Sequence, residues 1–253
     1  MTETKKLEQY WHRMVLTLPK TKNLKGAVIV CNPDIPIPPC NHAADIKVNE
    51  NEAENLLNRV VKHFRTSNSA FARFRITPLT RPKTFASLLE ANGFEKEAED
   101  SIMVFKGKIT KDKSSKGIKV RKMPESQIDV ADSIVFKVFE FSSDWKDKWH
   151  PLMVDWMRKG GEYYVGYVEG KPVGTSLLFS LMKTGGIFNV GTLKEYRKRG
   201  IATTLTLHAI AKSIEKGNEL HTLQTGKGGN AEQLYKEIGF VTDHTISWYV
   251  KKL

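Results

Sequence analysis

The sequence has few cysteines and no long apolar run. Cys31 and Cys40 are the two cysteines among 253 residues, too few for a disulfide framework and at no metal-ligand spacing, which favours a reduced, cytoplasmic setting. No stretch approaches the about 18 apolar residues that a membrane-spanning helix needs. Residues 1–6 also lack the apolar segment of a signal peptide. We therefore expect neither a disulfide scaffold nor a membrane protein, and no metal site.

Acidic residues are fewer than basic ones, and the formal net charge is +12. Such a surface attracts polyanions such as nucleic acid, membrane headgroups or a phosphorylated cofactor, but solvated lysine-rich faces give the same excess. No basic helix carries interleaved aromatics and no nucleic-acid motif is visible, so the sequence does not favour a nucleic-acid partner. The hydrophobic content of 40% is typical of a globular, core-forming chain.

A polar segment without apolar periodicity divides the chain. It predicts a linker over 109–117 between a first module, 1–108, and a second domain, 118–253. Periodicity in the second domain predicts a strand, two helices, three strands, and then helix, strand, helix and strand. The strands are expected at 118–121, 162–169, 172–181, 187–193, 220–225 and 246–251, and the helices at 128–139, 149–158, 201–216 and 231–238. This order indicates a mixed α/β fold rather than a doubly wound sheet.

The two parts of the chain share a local pattern. Residues 88–94 read Leu-Leu-Glu-Ala-Asn-Gly-Phe, and residues 234–240 read Leu-Tyr-Lys-Glu-Ile-Gly-Phe. An apolar strand follows each of them. This repetition suggests two related modules in tandem, although Gly-Phe after a helix is also an ordinary helix end with a buried aromatic.

The segment 197–202, Arg-Lys-Arg-Gly-Ile-Ala, follows a predicted strand and begins a predicted helix. Free N–H groups at a helix start and the helix dipole favour anionic oxygen. Gly200 lets a phosphate approach the backbone, Ala202 keeps the helix start slim, and the three basic residues add positive charge. A basic loop before an amphipathic helix is the alternative interpretation.

Together, 190–202 and 230–240 resemble the strand, pyrophosphate loop and late helix of the GNAT superfamily of acetyl-CoA-dependent N-acetyltransferases. The loop resembles (Arg/Gln)-x-x-Gly-x-(Gly/Ala), and Tyr235 and Gly239-Phe240 lie where the family has its late Tyr and Gly-Phe. The resemblance covers about 118–253. It implies a GNAT-like mixed α/β sheet, with two tandem modules of which the second is complete, and acetyl-CoA as co-substrate.

The resemblance also implies roles for individual residues. Backbone N–H groups of the loop would hold the pyrophosphate, the end of the preceding strand would pair with the pantetheine arm where it splays from the next strand, and the late helix would begin with a cofactor contact. These cofactor-binding residues are Thr192, Leu193, Arg197, Lys198, Arg199, Gly200, Ile201, Ala202 and Asn230. Tyr235 would be the general acid for the departing thiolate; otherwise it is a half-buried helix aromatic.

The general base is left unassigned. Several family members use a Glu on the strand before the loop, but 186–191 contains no carboxylate. Glu140, Asp144 and Glu162 remain as alternatives, each equally readable as a solvated surface acid. The aromatic segment 139–150 falls where the family often places the acceptor, or else covers core between two helices, and His150 before Pro151 reads as a helix-boundary residue.

In the first module the corresponding turn, 47–54, is acidic and lacks Gly, so we expect a degenerate cofactor site there. The sequence thus predicts an N-acetyltransferase that moves an acetyl group from acetyl-CoA to a primary amine. The acceptor, a small molecule or a protein, and the oligomeric state stay open. The alternative is a non-catalytic acyl-CoA-binding or regulatory protein, and a nucleic-acid-binding protein rests on charge alone.

Overall fold

The structure is a computed structural model that describes residues 1–109, 115 and 117–253. The chain forms two compact units: unit 1 is Met1–Ile102 with Asp243–Leu253, and unit 2 is Met103–Thr242. Most of the predicted linker, 109–117, lies outside the described residues. No helix in the described ranges is long and apolar enough to span a membrane.

Unit 1 contains three helices and a mixed sheet. The helices are α1 (Glu3–Val15), α2 (Ala53–Thr66) and α3 (Phe85–Ala91), and the strands before the second unit are β1 (Thr21–Leu24), β2 (Ala27–Cys31), β3 (Asn41–Ala44), β4 (Phe71–Ile76) and β5 (Glu95–Phe105). Helix α2 buries Leu56, Leu57, Val60 and Phe64 at helical spacing. These side chains share one core cluster with Phe74.

Unit 2 contains four helices around a second mixed set of strands. In chain order these are β6 (Ile118–Lys122), α4 (Ile128–Val138), α5 (Lys146–Arg158), β7 (Gly161–Val168), β8 (Lys171–Leu181), β9 (Thr184–Thr192), α6 (Ile201–Glu215), β10 (Leu220–Gly226) and α7 (Asn230–Ile238). The last strand, β11 (Phe240–Lys252), lies mostly in unit 1. With β5 at one end, the strand order in unit 2 is β5-β10-β9-β8-β7-β6. Strand β9 is parallel to β10 and antiparallel to β8, so the predicted mixed α/β class is confirmed.

Helices cover both faces of the unit 2 sheet. The hydroxyl of Tyr163 lies 2.8 Å from Sδ of Met153 on α5, whereas the ring of Tyr164 meets that of His208 on α6, 4.8 Å between centroids. Successive residues of a strand point to opposite faces. Helix α5 therefore covers one face and α6 the other.

The final strand of the chain completes unit 1 rather than unit 2. Residues Ser247–Lys252 of β11 pair antiparallel with Phe71–Ile76 of β4. The end of β5 belongs to unit 2, where the Thr222 hydroxyl of β10 donates to the Met103 carbonyl at 2.9 Å. Each unit is thus closed by the strand that follows the other module's last helix. By chain order alone, β5 falls in the predicted module 1–108 and β11 in the predicted domain 118–253, whereas in the structure the end of β5 lies in unit 2 and most of β11 in unit 1.

Predicted bounds in the second domain differ from the structure mainly at element starts: β11 begins at Phe240 rather than 246, α5 at Lys146 rather than 149, and β9 at Thr184 rather than 187. The hairpin turn expected at 170–171 lies one residue earlier, because Glu169 and Gly170 both have positive φ, 50° and 79°, as a two-residue hairpin turn requires. Helices α1 and α2 were not predicted. His150, expected at a helix boundary, lies inside α5.

A buried ion cluster ties α1 to the unit 1 sheet. Arg75 of β4 donates two hydrogen bonds to the Glu8 carboxylate, at 2.7 and 2.9 Å, and His244 Nε2 lies 2.9 Å from the same group. Burial alone would raise the pKa of Glu8, but Arg75 and His244 lower it to about 2, below the ordinary 4.5. The folded state therefore favours the ionised carboxylate.

We predict that Glu8→Gln destabilises the protein by about 3–5 kcal/mol at pH 7, because it leaves Arg75 buried without its counter-charge. The wild-type contribution is complete above pH 4.5 and is lost as the pH falls toward about 2. Urea unfolding at pH 7 and at pH 3 measures both effects. The matched control is Glu97→Gln, because Glu97 bonds Arg73 but is 34% exposed, and there we expect about 0–1 kcal/mol. Equal losses in the two variants would contradict the prediction.

Candidate functional site

The two parallel strands at the centre of unit 2 pair over only part of their length. Strand β10 pairs with β9 from Leu220 opposite Thr184 to Thr222 opposite Gly186. Both strands continue beyond this point, to Gly226 and Thr192, and their described residues show no further register. The strands therefore diverge, and their facing edges carry backbone groups that a ligand with amides can pair with.

The divergence leaves a gap between β9 and β10, and the backbone at the end of β9 shows which residue faces this gap. Leu193 N–H donates to the Val173 carbonyl at 2.9 Å, and the Leu193 carbonyl accepts from Tyr196 N at 2.9 Å. In an antiparallel ladder the neighbouring residue points its N–H and C=O away from that partner. Thr192 thus faces the open edge, where its carbonyl accepts from Arg197 Nε at 3.3 Å. Of the two predicted strand residues, Thr192 is the one placed to pair with a ligand.

The Thr192 side chain is also incompletely bonded. Thr192 is 9% exposed, and its Oγ1 is buried without a hydrogen-bond partner among the described residues. A buried hydroxyl without a partner costs free energy. Such a hydroxyl can accept a partner that a bound ligand or a water brings to it.

The turn after β9 leads directly into α6. Gly200 precedes the helix in the left-handed region, at φ 72°, and no side chain of the described residues caps the helix. As far as those residues extend, the first-turn N–H groups, from Ile201 and Ala202 onward, are open to an anion. The side chains of Arg197, Lys198 and Arg199 are exposed around this point. Residues 197–202, predicted to bind the pyrophosphate, thus form one continuous basic turn.

The position of Gly200 cannot accept a larger residue without rearrangement. A Cβ built there would collide with the side chain of Ser115, whose backbone N–H donates to Thr204 Oγ1 at 3.1 Å. Positive φ adds strain for any residue with a side chain. Both the backbone conformation and the close neighbour therefore require glycine.

The predicted contacts on α7 lie in two different environments. Asn230 is the first residue of α7 and is exposed. Tyr235 is 7% exposed and belongs to the same hydrophobic cluster as Ile201 and Leu205 of α6. Burial raises the pKa of Tyr235 to about 12, so its phenol stays protonated at neutral pH and can donate a proton.

Of the three acids that could be the general base, Glu162 is engaged in ion pairs and a hydrogen bond. It pairs with Lys122, pairs with Lys216 at 3.2 Å and accepts from the Tyr164 hydroxyl at 2.7 Å. Burial raises the pKa of Glu162, but these hydrogen bonds outweigh it and lower the pKa. Lys216 follows the last residue of α6, about 22 Å from the basic turn for a helix of 15 residues. Glu162 is therefore a weak base, at the far end of α6 from the basic turn.

The other two acids flank an aromatic cluster, and both are exposed. The ring of Phe141 contacts those of Phe136, Phe139, Trp145 and Trp149, with centroids 5.4 to 5.8 Å apart. The connection between α4 and α5, with Glu140 and Asp144, is thus built around Phe141. Its rings form an aromatic wall, which fits either an acceptor surface or a cover over the core between the two helices.

A polar pair between β9 and β7 was not predicted from the sequence. Asn189 has a φ of 50° and lies where the β8–β9 register shifts, as in a β-bulge. Its side chain donates to the Tyr163 hydroxyl at 2.7 Å. The only signal in the sequence is an Asn in an otherwise apolar strand, and its partner on β7 is 26 residues away.

The equivalent helix start in unit 1 carries its own acidic cap. Asn49 and Glu52 form a reciprocal capping box before α2, and Thr84 donates to Glu50 in the same turn. The cap bonds N–H groups that a phosphate would need, and the carboxylates repel it. This arrangement agrees with the expectation of a degenerate site.

The comparisons with known proteins agree with this geometry. The family model of the acetyltransferase (GNAT) family matches residues 134–240, which include the basic turn, the diverging strands and α7. This region is therefore similar in sequence to the GNAT family. A search of curated protein sequences gave no match.

Solved structures with the GNAT fold match nearly the whole chain. A GCN5-related N-acetyltransferase from Kribbella flavida is 14% identical, with 99% of this chain and 96% of that chain covered and a TM-score of 0.78. One from Sphaerobacter thermophilus is 18% identical, covering 90% and 76%, with a TM-score of 0.68. A tandem GNAT protein from the clavulanic acid biosynthesis pathway is 11% identical, covering 83% and 75%, with a TM-score of 0.61. Unit 1 is therefore GNAT-like in fold.

We predict that Gly200→Glu weakens acetyl-CoA binding by about 10- to 100-fold, because it places a carboxylate and a side chain in the cradle. Titration calorimetry with acetyl-CoA measures the change. The matched control is Gly217→Glu at the other end of α6, where φ is also positive, 75°, and no atom lies near an added Cβ. Unchanged affinity in a folded Gly200→Glu protein would place the cofactor elsewhere.

Proposed function

We propose that unit 2 transfers an acetyl group from acetyl-CoA to a primary amine. One observation carries the proposal: the divergence of β9 and β10 opens toward an uncapped helix start flanked by three exposed basic side chains. A long polyamide with a pyrophosphate at one end matches both features. The family match supports acetyl transfer in general, and the acceptor class is our proposal.

The residues at the gap and in the basic turn suit acetyl-CoA, the acetyl donor. The first-turn N–H groups from Gly200 to Ala202 would hold the pyrophosphate, helped by Arg197, Lys198 and Arg199. Thr192 would pair with the pantetheine arm through the open strand edge and its unbonded hydroxyl. Leu193, whose backbone groups are already bonded, would line the arm with its side chain. Asn230, exposed at the start of α7, would contact the nucleotide end.

Tyr235 is our proposed general acid. Breaking the thioester leaves a thiolate that needs a proton, and a phenol with a pKa of about 12 is protonated when the reaction begins. The phenol lies in the cluster that also contains the first residue of α6. The aromatic wall around Phe141 would receive the apolar part of the acceptor.

A non-catalytic acyl-CoA-binding protein is the second candidate. The residues of β9, all of which are described, include no carboxylate, so the strand that borders the gap offers no base. Thiol release from acetyl-CoA, measured with an amine panel of amino acids, polyamines, aminoglycosides and lysine peptides, separates the two functions. Turnover on any amine supports the enzyme, and tight binding with no turnover on the whole panel supports the binding protein.

We predict that Tyr235→Phe lowers kcat by about 10²- to 10⁴-fold while the acetyl-CoA Kd changes little, because only the proton donor is removed. Thiol-release kinetics and calorimetry measure the two quantities. Tyr167→Phe is the control: its hydroxyl lies 3.9 Å from Met123 Sδ on the edge strand pair, so both quantities should stay at wild-type values. A similar kcat in both variants would show that water, not Tyr235, protonates the thiolate.

A further inference from the structure

Helices α4 and α5 bring a carboxylate and an imidazole together, 18 residues apart in sequence. Asp132 Oδ2 lies 2.9 Å from His150 Nδ1, and Asp132 Oδ1 accepts from Trp149 Nε1 at 3.1 Å. The Asp132 side chain is 0% exposed and that of His150 is 37% exposed. The carboxylate is therefore fixed in the interior, while the imidazole reaches the surface.

The pairing fixes which nitrogen of His150 is free. An ionised carboxylate only accepts hydrogen bonds, so Nδ1 carries the proton that faces Asp132. Nε2 of the neutral ring is then a base with an available lone pair. A buried carboxylate behind an imidazole orients the ring and stabilises the imidazolium that forms when Nε2 takes a proton.

This pair lies on the face of the sheet where β9 carries its bulge. Tyr163 points toward α5, with its hydroxyl 2.8 Å from Met153 Sδ. Burial raises the pKa of Tyr163, and the charge of Asp132 raises it further. The Tyr163 hydroxyl in turn holds Asn189 at 2.7 Å. The end of α4 also packs on β9, since a Cβ at Gly191 would come 2.8 Å from Val138. The pair is thus connected to the strand bordering the gap.

The aromatic wall adjoins the same pair. Trp149, which donates to Asp132, packs its ring against those of Phe136 and Phe141, 6.1 and 5.4 Å between centroids. An acceptor resting on these rings lies beside the imidazole. Neither Glu162, which is paired with two lysines, nor the exposed Glu140 and Asp144 has comparable support.

We propose that His150 is the general base for the acceptor amine and that Asp132 is its positioning residue. The proposal rests on the proposed acetyl transfer. As the neutral amine attacks the thioester carbonyl, the C–N bond forms, the excess proton on nitrogen passes to Nε2, the C–S bond breaks, and Tyr235 protonates the sulfur. Proton exchange with solvent then restores neutral His150 and the Tyr235 phenol.

A second carboxylate lies near His150. Asp129 Oδ1 lies 3.3 Å from Nδ1, but its side chain is 71% exposed, so solvent screens it more than Asp132. Asp144, Lys146 and Asp147, close to His150 in sequence, are exposed, and the Tyr163 phenol is neutral. Asp132 is therefore the buried carboxylate paired with His150.

The test is the pH dependence of kcat, measured with the panel amine that wild type uses best. Wild type should lose activity at acidic pH, where the base is protonated. His150→Gln should lower kcat by about 10²- to 10⁴-fold and abolish this acidic limb of the pH profile. Asp132→Asn should lower kcat and change the acidic limb, because the imidazole loses the carboxylate that orients it. Asp129→Asn is the matched control, and its kcat and the acidic limb of its pH profile should stay near wild type. The acetyl-CoA Kd should be unchanged in all three variants.

Three outcomes would overturn the proposal. The first is a His150→Gln protein, altered at a partly exposed position, that keeps the wild-type rate and acidic limb. The second is loss of activity in EDTA with recovery on adding a divalent cation, because Asp129, Asp132 and His150 place three ligand atoms within 4.8 Å of one another. The third is a wild type inactive on every amine, which removes acetyl transfer as well. The first two leave the proposed function standing.

Discussion

The loss of pairing between β9 and β10 beyond Gly186 and Thr222 is the feature on which the candidate site depends. Two parallel strands that diverge must be held apart by something other than their own hydrogen bonds. Here β9 keeps its pairing with β8 on one side, and β10 lies beside β5 on the other. Each strand thus has one satisfied edge, and the open edges are left for a ligand.

The two faces of the unit 2 sheet serve different ends of the proposed reaction. Helix α6 begins at the basic turn and lies on the face of Tyr164, so it presents N–H groups to phosphate. Helices α4 and α5 lie on the face of Tyr163 and carry the aromatic wall and the Asp132–His150 pair. At the bulge, Asn189 of β9 turns its side chain toward Tyr163, so the strand that borders the gap also contacts this second face.

The fold was predictable where local patterns specify it. Elements of unit 2 lie close to their expected bounds, because hydrophobic periodicity and glycine helix ends are properties of short segments. The closing strands were not predictable. Residues 246–251 read as a strand in any context, and only the pairing of β11 with β4 assigns that strand to unit 1. Register between distant strands is a tertiary property that one sequence does not reveal.

The same distinction explains which parts of the site could be found. The turn 197–202 is continuous in sequence, so its chemistry is legible from residue types and order. The Asp132–His150 and Tyr163–Asn189 pairs join residues 18 and 26 positions apart, and each member alone reads as an ordinary core or boundary residue. The proposed donor site, built on one turn, is thus visible in the sequence. The proposed acceptor site, which two helices and a strand would form, becomes visible only when the packing of α4 and α5 fixes which side chains meet.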